Sequence, residues 1–495
     1  MKAFYPPGCT RWLVMDMEVL LGIDVGSTNI KCIAIDALGK CVALKGIPMG
    51  SADTMRNANM LFERVCDAVK QVMSALPVGV HILGVATSSV GCSAFFLNRL
   101  GEQVEVIATG NEFMPADCVQ VTGYPPDYHN TGVELIRAHG DLSDVAHVLS
   151  YSDYISYCLS GELGRDISTA GSMSMYDRRN GKWWDEFKSI TGLTDDVLGK
   201  IYPSGTQIGA ITEDAARLTG ISAGVPVCLG GHDYLCAAFA LGCVDEGSIL
   251  NVLGTYEIMS SFHHSPVTYR SGIQCFSDCH CYPERYSLSC EALAGGQLEW
   301  LRNLHPGGGC PDFWDDMYKK IDALPPSFDC DGGRELFIPR IYGEGFPVRD
   351  HGLRGGFLGL NSQTDYIQMM RAAIEGLCMY SRRMFEYVAA KKPDIITVAG
   401  GGSNGRFWVQ TKADVLGVPV VVPQVPEASA TGSALLAGVG VGVFSGYDEA
   451  SCVCSAGSKV EYFPDTRRVQ VFERVYNEAF LPALDAAANL DGSSI

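Results

Sequence analysis

A strand–turn–strand pattern that occurs twice is the feature that most constrains how this chain folds. The first copy runs from Val19 to Ile35 and has the turn Asp24-Val25-Gly26-Ser27-Thr28 between an apolar run and an alternating strand. The second copy, Ser248 to Met259, has polar Asn251 before the turn Gly254-Thr255. Apolar runs and period-two alternation are typical of β-strands. Two copies of one device predict a duplicated fold.

A second pair of matching segments supports the duplication. His81 to Gly91 and Asp394 to Gly405 each run from a β-rich stretch into small residues, with Gly or Ser at the turn. Helical patterns precede both, over Thr54 to Ala75 and Thr364 to Ala390, where apolar residues recur at three- and four-residue spacing. Strands that alternate with helices in this way predict an α/β architecture.

The duplication also sets the predicted domain limits. We place the boundary near Asp245, which gives a first domain of residues 19–245 and a second of residues 246–495. Residues 1–18 precede the first strand-like run and are expected to be an extension outside the fold. An upstream start codon would account for the residues before Met15.

Charge and composition exclude several classes of protein. The chain has 37 Lys and Arg against 56 Asp and Glu, a formal net charge of −19 at pH 7. We therefore expect no nucleic-acid partner, and a phosphate site must use local backbone N–H groups and a metal ion. The N-terminus lacks the continuous apolar core of a signal peptide. No apolar run reaches about 18 residues, so we expect a cytoplasmic protein with reduced thiols and no membrane partner.

The two repeated turns carry the residue types that bind phosphate. Asp24 ends a strand and is followed by Gly26, which permits close backbone approach, and by the hydroxyls of Ser27 and Thr28. Taken alone, each turn could equally be an ordinary β-turn, and Gly254 with Thr255 is the weaker of the two. In a duplicated fold, however, the two turns can close on a polyphosphate from opposite sides. No Walker A motif and no Gly-x-Gly-x-x-Gly that opens a helix after the first strand is present.

A glycine-rich loop supplies a second part of a nucleotide site. The loop follows a predicted strand and precedes a predicted helix from Phe407 to Leu416. It consists of Gly400, Gly401, Gly402, Ser403 and Asn404. Their backbone leaves a flat surface on which adenosine can lie. The alternative is a glycine-rich strand-to-helix turn without a ligand.

Asp233 is the candidate base. It follows the apolar run Val225 to Leu229 and the sequence Gly230-Gly231-His232, between the two predicted halves. A carboxylate there can accept the proton of an attacking hydroxyl, as phosphoryl transfer to an alcohol requires. The alternative is that Asp233 caps a helix. We interpret His232 as a packed or hydrogen-bonding residue.

The cysteine-rich segment Gln274 to Cys281 raises the question of zinc. In a strand, His280 would lie on the face opposite Cys279 and Cys281, and no second spaced pair completes four ligands. We therefore predict reduced thiols and no zinc here. Trp183 and Trp184 are interpreted as packing aromatics.

The motifs together resemble the FGGY carbohydrate kinases, and the resemblance spans nearly the whole chain. The matching pieces occur in the order Gly22-Ile-Asp24-Val-Gly26-Ser-Thr28, Gly230-Gly231-His-Asp233, Asn251-Val-Leu-Gly254-Thr255 and Gly400-Gly401-Gly402-Ser403-Asn404. The resemblance implies an actin-like, ribonuclease H-like ATPase fold, in which two domains around a central cleft close over ATP, Mg²⁺ and a sugar. It also implies a homodimer.

The resemblance assigns roles to the candidate residues. Asp233 would be the base and, with Asp24, would lie on the metal. The phosphates would be lined by the two repeated turns, that is, by Gly26, Ser27, Thr28, Gly254 and Thr255. The adenosine would be contacted by the glycine-rich loop, at Gly400, Gly401, Gly402 and Asn404.

The sugar side departs from the family pattern. Members usually carry a Trp followed by Asp-x-Arg that grips the sugar hydroxyls, whereas this chain reads Val106-Ile-Ala-Thr-Gly-Asn-Glu112. Ser89, Asn111 and Glu112, with His232 and Asp233, are the predicted substrate contacts. For Ser89, Asn111 and Glu112 the alternative is ordinary loop polarity.

The function predicted from the sequence is ATP-dependent phosphorylation of a hydroxyl of a small ketose or polyol. Two alternatives stay open at this point. One is a nucleotide-dependent scaffold of the actin or chaperone type, and the other is a catalytically weakened, sugar-binding regulatory paralogue.

Overall fold

The computed structural model describes residues 17–51, 53–108, 110–138, 142–269, 272–328 and 334–490. Of the predicted extension 1–18, residues 1–16 lie outside the described residues. Met17 and Glu18 are the first residues of strand β1, two residues earlier than the sequence pattern predicts.

The strands are β1 Met17–Val25, β2 Asn29–Ile35, β3 Cys41–Pro48, β4 Val80–Ser89, β5 Ala94–Leu97, β6 His147–Ser150, β7 Arg165–Asp166, β8 Tyr176–Asp177, β9 Lys182–Trp183, β10 Ile201–Tyr202, β11 Gln207–Ala210, β12 Pro226–His232, β13 Ile249–Leu253, β14 Tyr256–His263, β15 Cys275–Phe276, β16 Tyr286–Leu293, β17 Leu336–Ile338, β18 Gly356–Leu358, β19 Ile396–Ala399, β20 Val420–Pro423 and β21 Lys459–Tyr462.

The helices are α1 Ala58–Ala75, α2 Cys118–Val121, α3 Thr131–Ile136, α4 Tyr151–Ser160, α5 Ile167–Ser172, α6 Asp185–Thr191, α7 Asp195–Leu198, α8 Glu213–Thr219, α9 Asp233–Ala240, α10 Gly295–Leu304, α11 Phe313–Asp322, α12 Tyr366–Val388, α13 Arg406–Leu416, α14 Ala428–Gly440, α15 Tyr447–Ser455, α16 Thr466–Val475 and α17 Leu481–Leu490.

Two sheets with the same internal order confirm the duplicated architecture. The first sheet has the order β11-β12-β4-β1-β2-β3, and the second has β15-β16-β14-β13-β19-β20-β21. In each, three antiparallel strands form one side and two parallel strands follow on the other. Strands β1 and β13 therefore occupy equivalent central positions, and so do the hairpin turns that follow them.

The long helices form where capping and periodicity agree. The Asn57 side chain accepts the N–H of Met60 at the start of α1, after a short 3₁₀ turn over Thr54–Arg56. Asp365 and Gln368 form a capping box at the start of α12. Both helices match the segments predicted from the sequence, apart from one or two residues at the ends of α12 and the 3₁₀ turn before α1.

The layers are set by which face of each strand is buried. In β1, Leu21 and Ile23 pack with α1 in one core, whereas Leu20 packs with α9 and α14 in another. Leu250 of β13 joins the same core from the second sheet. Helices α9 and α14 thus lie between the two sheets, with α1 and α4 outside the first sheet and α12 and α13 outside the second.

Glycines make the closest contacts of the central layer. A Cβ on Gly22 of β1 would lie 1.9 Å from the carbonyl oxygen of Ala430 in α14. A Cβ on Gly432 of α14 would lie 2.0 Å from the carbonyl oxygen of Cys236 in α9. Both obstructions are backbone atoms, so α14 can approach the strand and the neighbouring helix only because these positions have no side chain.

The cysteine-rich segment is only partly a strand. Cys275 and Phe276 pair with β16 as β15, whereas the residues that follow make only an isolated bridge between Cys279 and Tyr286. The prediction of a strand through Cys281 is therefore wrong, because the segment leaves the sheet at Ser277, which donates its N–H to the carbonyl oxygen of Gly123 at 2.9 Å. Among the described residues, no group of three His, Cys, Asp or Glu is arranged to hold a metal.

Within the described part of the chain, no helix is long and apolar enough to cross a membrane.

Trp183 and Trp184 are buried in the core of the chain, in agreement with their interpretation as packing residues.

We predict that Gly22→Ala destabilises the protein by about 1–3 kcal/mol, the usual range for overpacking. The new methyl group would force α14 away from β1. Gly46→Ala on β3 is the matched control, because its Cβ would meet only ordinary contacts at 3.6 Å and beyond. Urea unfolding of both variants measures the difference. Equal unfolding free energies for the two variants would contradict the close contact.

Candidate active site

A cavity of about 950 Å³ lies between the two halves. Its walls come from the carboxyl ends of central strands in both sheets, including Asp24 of β1, His232 of β12, Val252 of β13, Ala399 of β19 and Val422 of β20. Clefts at the carboxyl ends of parallel strands are where open α/β sheets bind ligands. The cavity is therefore the candidate active site.

The turn after β1 projects hydroxyls and backbone into the cavity. Gly26 donates its N–H to the carbonyl oxygen of Asn29 at 3.1 Å, which closes the turn. Ser27 and Thr28 are exposed and line the cavity. Asp24 is buried at the strand end, where the hydroxyl of Ser88 donates to its carboxylate at 2.9 Å.

The turn after β13 has the same design. Gly254 donates its N–H to the carbonyl oxygen of Tyr256 at 2.9 Å, and Thr255 is exposed in the cavity. In the described part of the chain, the N–H groups of Ser27, Thr28 and Thr255 make no backbone hydrogen bond. The two turns thus offer unused donors and hydroxyls from opposite walls of one cavity, which suits a polyphosphate.

The glycine-rich loop after β19 forms part of the second wall. Gly400 has a φ of +89°, and a Cβ there would lie 2.5 Å from the carbonyl oxygen of Leu253. Ser403 donates its hydroxyl to the carbonyl oxygen of Gly400 at 2.7 Å. Gly400, Gly401, Ser403 and Asn404 line the cavity. Gly402 is not among the lining residues, and its α-carbon faces Leu253 and Trp408.

Asp233 lines the cavity and is the first residue of α9. Its carboxylate accepts the N–H of Tyr234 at 2.6 Å, and it does not cap the helix, since the cap position belongs to His232. Burial, together with the negative charge of Asp24, raises the pKa of Asp233 to about 7. Burial likewise raises the pKa of Asp24 to about 6, although Ser88 and Lys31 oppose the shift.

His232 lies against Asp233 but is held neutral. Its Nε2 is 3.6 Å from the Asp233 carboxylate, and its Nδ1 is 3.6 Å from the carboxylate of Asp278. Burial lowers the pKa of His232 to about 3. Both distances are too long for a hydrogen bond, and the imidazole packs edge-on against the Tyr234 ring with centroids 4.7 Å apart. Of the two roles predicted for His232, packing is the one observed.

A buried ion pair supports the second turn from behind. Glu257 receives hydrogen bonds from Lys412 Nζ at 2.6 Å, from Asn251 Nδ2 at 2.8 Å and from the Ser381 hydroxyl. Asn251 and Glu257 bracket the Gly254-Thr255 turn. Lys412 belongs to α13 and Ser381 to α12, so these contacts fix the turn to the two helices that lie outside the second sheet.

An ion pair joins the two walls at the cavity. Lys31 of β2 is 2.6 Å from the carboxylate of Glu427, which follows β20. Both residues line the cavity, and both side chains are about one-third exposed. The positive charge of Lys31 lowers the pKa of Asp24 and of Asp233 against the effect of burial.

The far end of the cavity is aromatic, and sequence reasoning missed it. This end is lined by one carboxylate, Glu291, and by four aromatic residues, Tyr124, Tyr128, Tyr234 and Phe276. Tyr124 and Phe276 stack with ring centroids 5.5 Å apart, and Tyr128 meets Tyr124 edge-on at 4.9 Å. These residues come from distant segments, and the only local signal is the density of tyrosine around Gly123.

Three predicted substrate contacts lie elsewhere. Ser89 is buried at the end of β4, where its hydroxyl accepts the N–H of Ser152 and donates to the carbonyl oxygen of Val90. Asn111 and Glu112 are exposed, and Glu112 accepts the Nε–H of Arg137 at its carbonyl oxygen. None of the three is among the residues that line the cavity. His232 and Asp233 do line it.

Two family models match the chain. The model of the N-terminal domain of the FGGY family of carbohydrate kinases matches residues 135–240, and that of the C-terminal domain matches residues 286–441. Together the two matches span more than half of the chain.

Characterised proteins match over most of their length. An L-fuculokinase from Escherichia coli K12 is 27% identical over 467 residues, which cover 88% of this chain and 95% of that protein. A xylulose kinase from Staphylococcus epidermidis is 27% identical over 488 residues, covering 94% and 96%. The crystal structure of a ligand-bound xylulose kinase from Lactobacillus acidophilus aligns with a TM-score of 0.82 at 20% identity, over 96% and 99% of the two chains.

We predict that Lys412→Met lowers the free energy of unfolding by about 3–5 kcal/mol, because it leaves the Glu257 carboxylate buried without its cation. Lys320→Met is the matched control. Lys320 pairs with Asp316 at 2.6 Å on an exposed helix face, and such pairs contribute about 0–1 kcal/mol. Urea unfolding measures both variants. A loss below about 1 kcal/mol in Lys412→Met would contradict the supporting role of the buried pair.

Proposed function

Because the chain belongs to the FGGY family of carbohydrate kinases, we propose that Asp233 is the base in its reaction and that the two hairpin turns hold the phosphates of ATP. The protein is an ATP-dependent carbohydrate kinase with an alcohol group of a small sugar as acceptor. The observation that carries the residue assignments is the convergence of Asp233 and both turns in one cavity.

Asp233 has the position and the acidity for general base catalysis. The acceptor hydroxyl attacks the γ-phosphorus, so that an O–P bond forms while the bond to the leaving ADP oxygen breaks. The hydroxyl proton passes to the Asp233 carboxylate. Without bound metal the pKa of Asp233 is about 7, so the carboxylate is ionised in a large fraction of molecules at neutral pH, as a base must be. A magnesium ion at this site would lower that pKa and increase the ionised fraction.

The phosphates would lie between the two turns. Backbone N–H groups and the hydroxyls of Ser27, Thr28 and Thr255 can bond phosphate oxygens from both sides, and they need no net positive charge. This arrangement suits a chain with a formal charge of −19. The Gly400 to Asn404 loop would support the adenosine, because its exposed backbone lies on the second wall of the same cavity.

Asp24 and Asp233 fit a magnesium ion. Mg²⁺ in phosphoryl transfer is usually held by one or two carboxylates, with the remaining ligands from phosphates and water. The two carboxylates line one cavity, and burial disfavours the ionised form of each, which raises both pKa values. The negative charge of Asp24 raises the pKa of Asp233 further. When bound, Mg²⁺ would neutralise charge on the phosphates.

The substrate is proposed to be a ketose. Two of the similar proteins carry the names L-fuculokinase and xylulose kinase, and both named sugars are ketoses. An aromatic end with one carboxylate suits a small polyhydroxyl ligand, because rings cover its C–H faces while the carboxylate accepts its hydroxyls. Cytoplasmic location and a homodimer stay predictions.

We predict that Asp233→Asn reduces kcat by about 10²–10⁴-fold, the range for loss of a general base, while the sugar still binds. Steady-state kinetics measure kcat, and isothermal titration of the ADP-loaded protein measures sugar binding. Asp316→Asn, on an exposed helix face, is the control and is expected to keep full activity. Near-normal turnover in Asp233→Asn would sink the assignment of the base.

The acceptor itself is found with a panel of ketoses, polyols and deoxy sugars. Purified protein is incubated with ATP and Mg²⁺, ADP release is measured, and the sugar phosphate is identified by mass. We expect release with one or a few related ketoses. Measurable ATP binding without phosphorylation of any acceptor would contradict the proposed substrate class.

A further inference from the structure

The aromatic end of the cavity, which would hold the sugar and is called the sugar end below, is connected to Asp233 through a continuous series of contacts. His232 lies 3.6 Å from Asp233 on one side and 3.6 Å from Asp278 on the other. Tyr124 donates its hydroxyl to Asp278 at 2.8 Å, and its ring packs against Tyr128. The aromatic end is therefore part of the same site as the base.

Most of the polar atoms at this end are already used. The hydroxyls of Tyr124 and Tyr234 both donate to the carboxylate of Asp278, each at 2.8 Å. Asp278 is fully buried and is not among the residues that line the cavity. Its carboxylate oxygens are therefore not available to a ligand. Phe276 offers only a ring face. The polar group that this end still presents to a ligand must come from another residue.

Glu291 supplies that group. It lines the cavity, and its side chain is 24% exposed. Its Oε1 accepts the hydroxyl of Tyr128 at 3.0 Å and lies 3.3 Å from a guanidinium nitrogen of Arg349. Among the described residues, Oε2 takes part in no hydrogen bond. One oxygen is thus anchored while the other can accept a bond from a ligand.

Arg349 holds this carboxylate from outside the cavity. It is not among the lining residues, yet its guanidinium also lies over the Tyr128 ring, 5.5 Å from the centroid. Burial raises the pKa of Glu291, and the charge of Arg349 opposes that shift. Arg349 and Tyr128 therefore favour the ionised form and fix its direction, which makes the carboxylate a stronger acceptor.

We propose that Glu291 selects the sugar by accepting hydrogen bonds from its hydroxyls, with Arg349 as its positioning residue. The inference rests on the proposed kinase function and deepens it. It replaces Asn111 and Glu112 as the expected sugar contacts, because neither lines the cavity. The pair comes from the second half of the chain, whereas the base comes from the first, so the sugar is bound by both halves.

The test uses the full-length protein with ATP, Mg²⁺ and the best acceptor from the sugar panel. Glu291→Gln keeps the size of the side chain and removes its charge. We expect the KM for the sugar to rise about 10- to 100-fold, whereas the KM for ATP and the acceptor-independent ATP hydrolysis change less than about twofold, in line with one lost charge-assisted hydrogen bond. Arg349→Met is expected to raise the same KM, and the double variant should resemble Glu291→Gln alone.

A second measurement separates a direct contact from a structural effect. Acceptors that lack one hydroxyl are compared with the parent sugar. The wild type should discriminate against the analogue that lacks the hydroxyl bound by Glu291, and this ratio of kcat/KM values should fall about tenfold or more in Glu291→Gln. Glu299→Gln is the control, since Glu299 also pairs with an arginine, Arg302 at 2.6 Å, but is 44% exposed and lies outside the cavity.

The outcomes distinguish the two proposals. If the wild type phosphorylates a sugar and Glu291→Gln keeps both its sugar KM and its discrimination between analogues, the role of Glu291 is wrong and the kinase function stands. If the wild type phosphorylates no member of the panel, both proposals are overturned.

Discussion

The close packing of helix α14 against strand β1 and helix α9 is the contact on which the rest of the architecture depends. Gly22 and Gly432 let backbone meet backbone there, so α14, which belongs to the second half in sequence, lies on the sheet of the first. The two sheets consequently share one central layer. The width of the cleft, and hence the separation of the two hairpin turns after β1 and β13, follows from that layer.

The two ends of the cleft are built in different ways. At the nucleotide end, the ligand would meet backbone groups and short hydroxyls on two hairpins, one of which is fastened from behind by Glu257 and Lys412. At the sugar end, side chains from distant segments form the walls, and Glu291 presents a carboxylate steadied by Arg349. Asp233 lies between them, where burial brings its pKa close to neutral pH.

The three loops predicted to bind the nucleotide can be located from the sequence, because each of them is a local feature. Each loop lies at the end of a short apolar strand, and the hydrophobic periodicity is enough to find that strand. The loops are Asp24 to Thr28, Gly254 with Thr255, and Gly400 to Asn404. The sugar end could not be found in this way, since Tyr128, Phe276 and Glu291 become neighbours only through tertiary folding. The missing family motif directed attention to Asn111 and Glu112, which the fold leaves on the exterior. The same limitation explains the strand predicted through Cys281, which ends early because tertiary contacts outweigh local alternation.

The reliance of the nucleotide end on main-chain groups has an evolutionary consequence. Every residue except proline has a peptide N–H group, so most point mutations in the two turns leave their donors in place, provided the glycine conformations are kept. The sugar end has no such protection, since every contact there belongs to one side chain and disappears with it. A scaffold divided in this manner can change its acceptor through few substitutions without losing its phosphate donor, and sequence drift in descendants of this chain should concentrate around Tyr128, Phe276, Glu291 and Arg349.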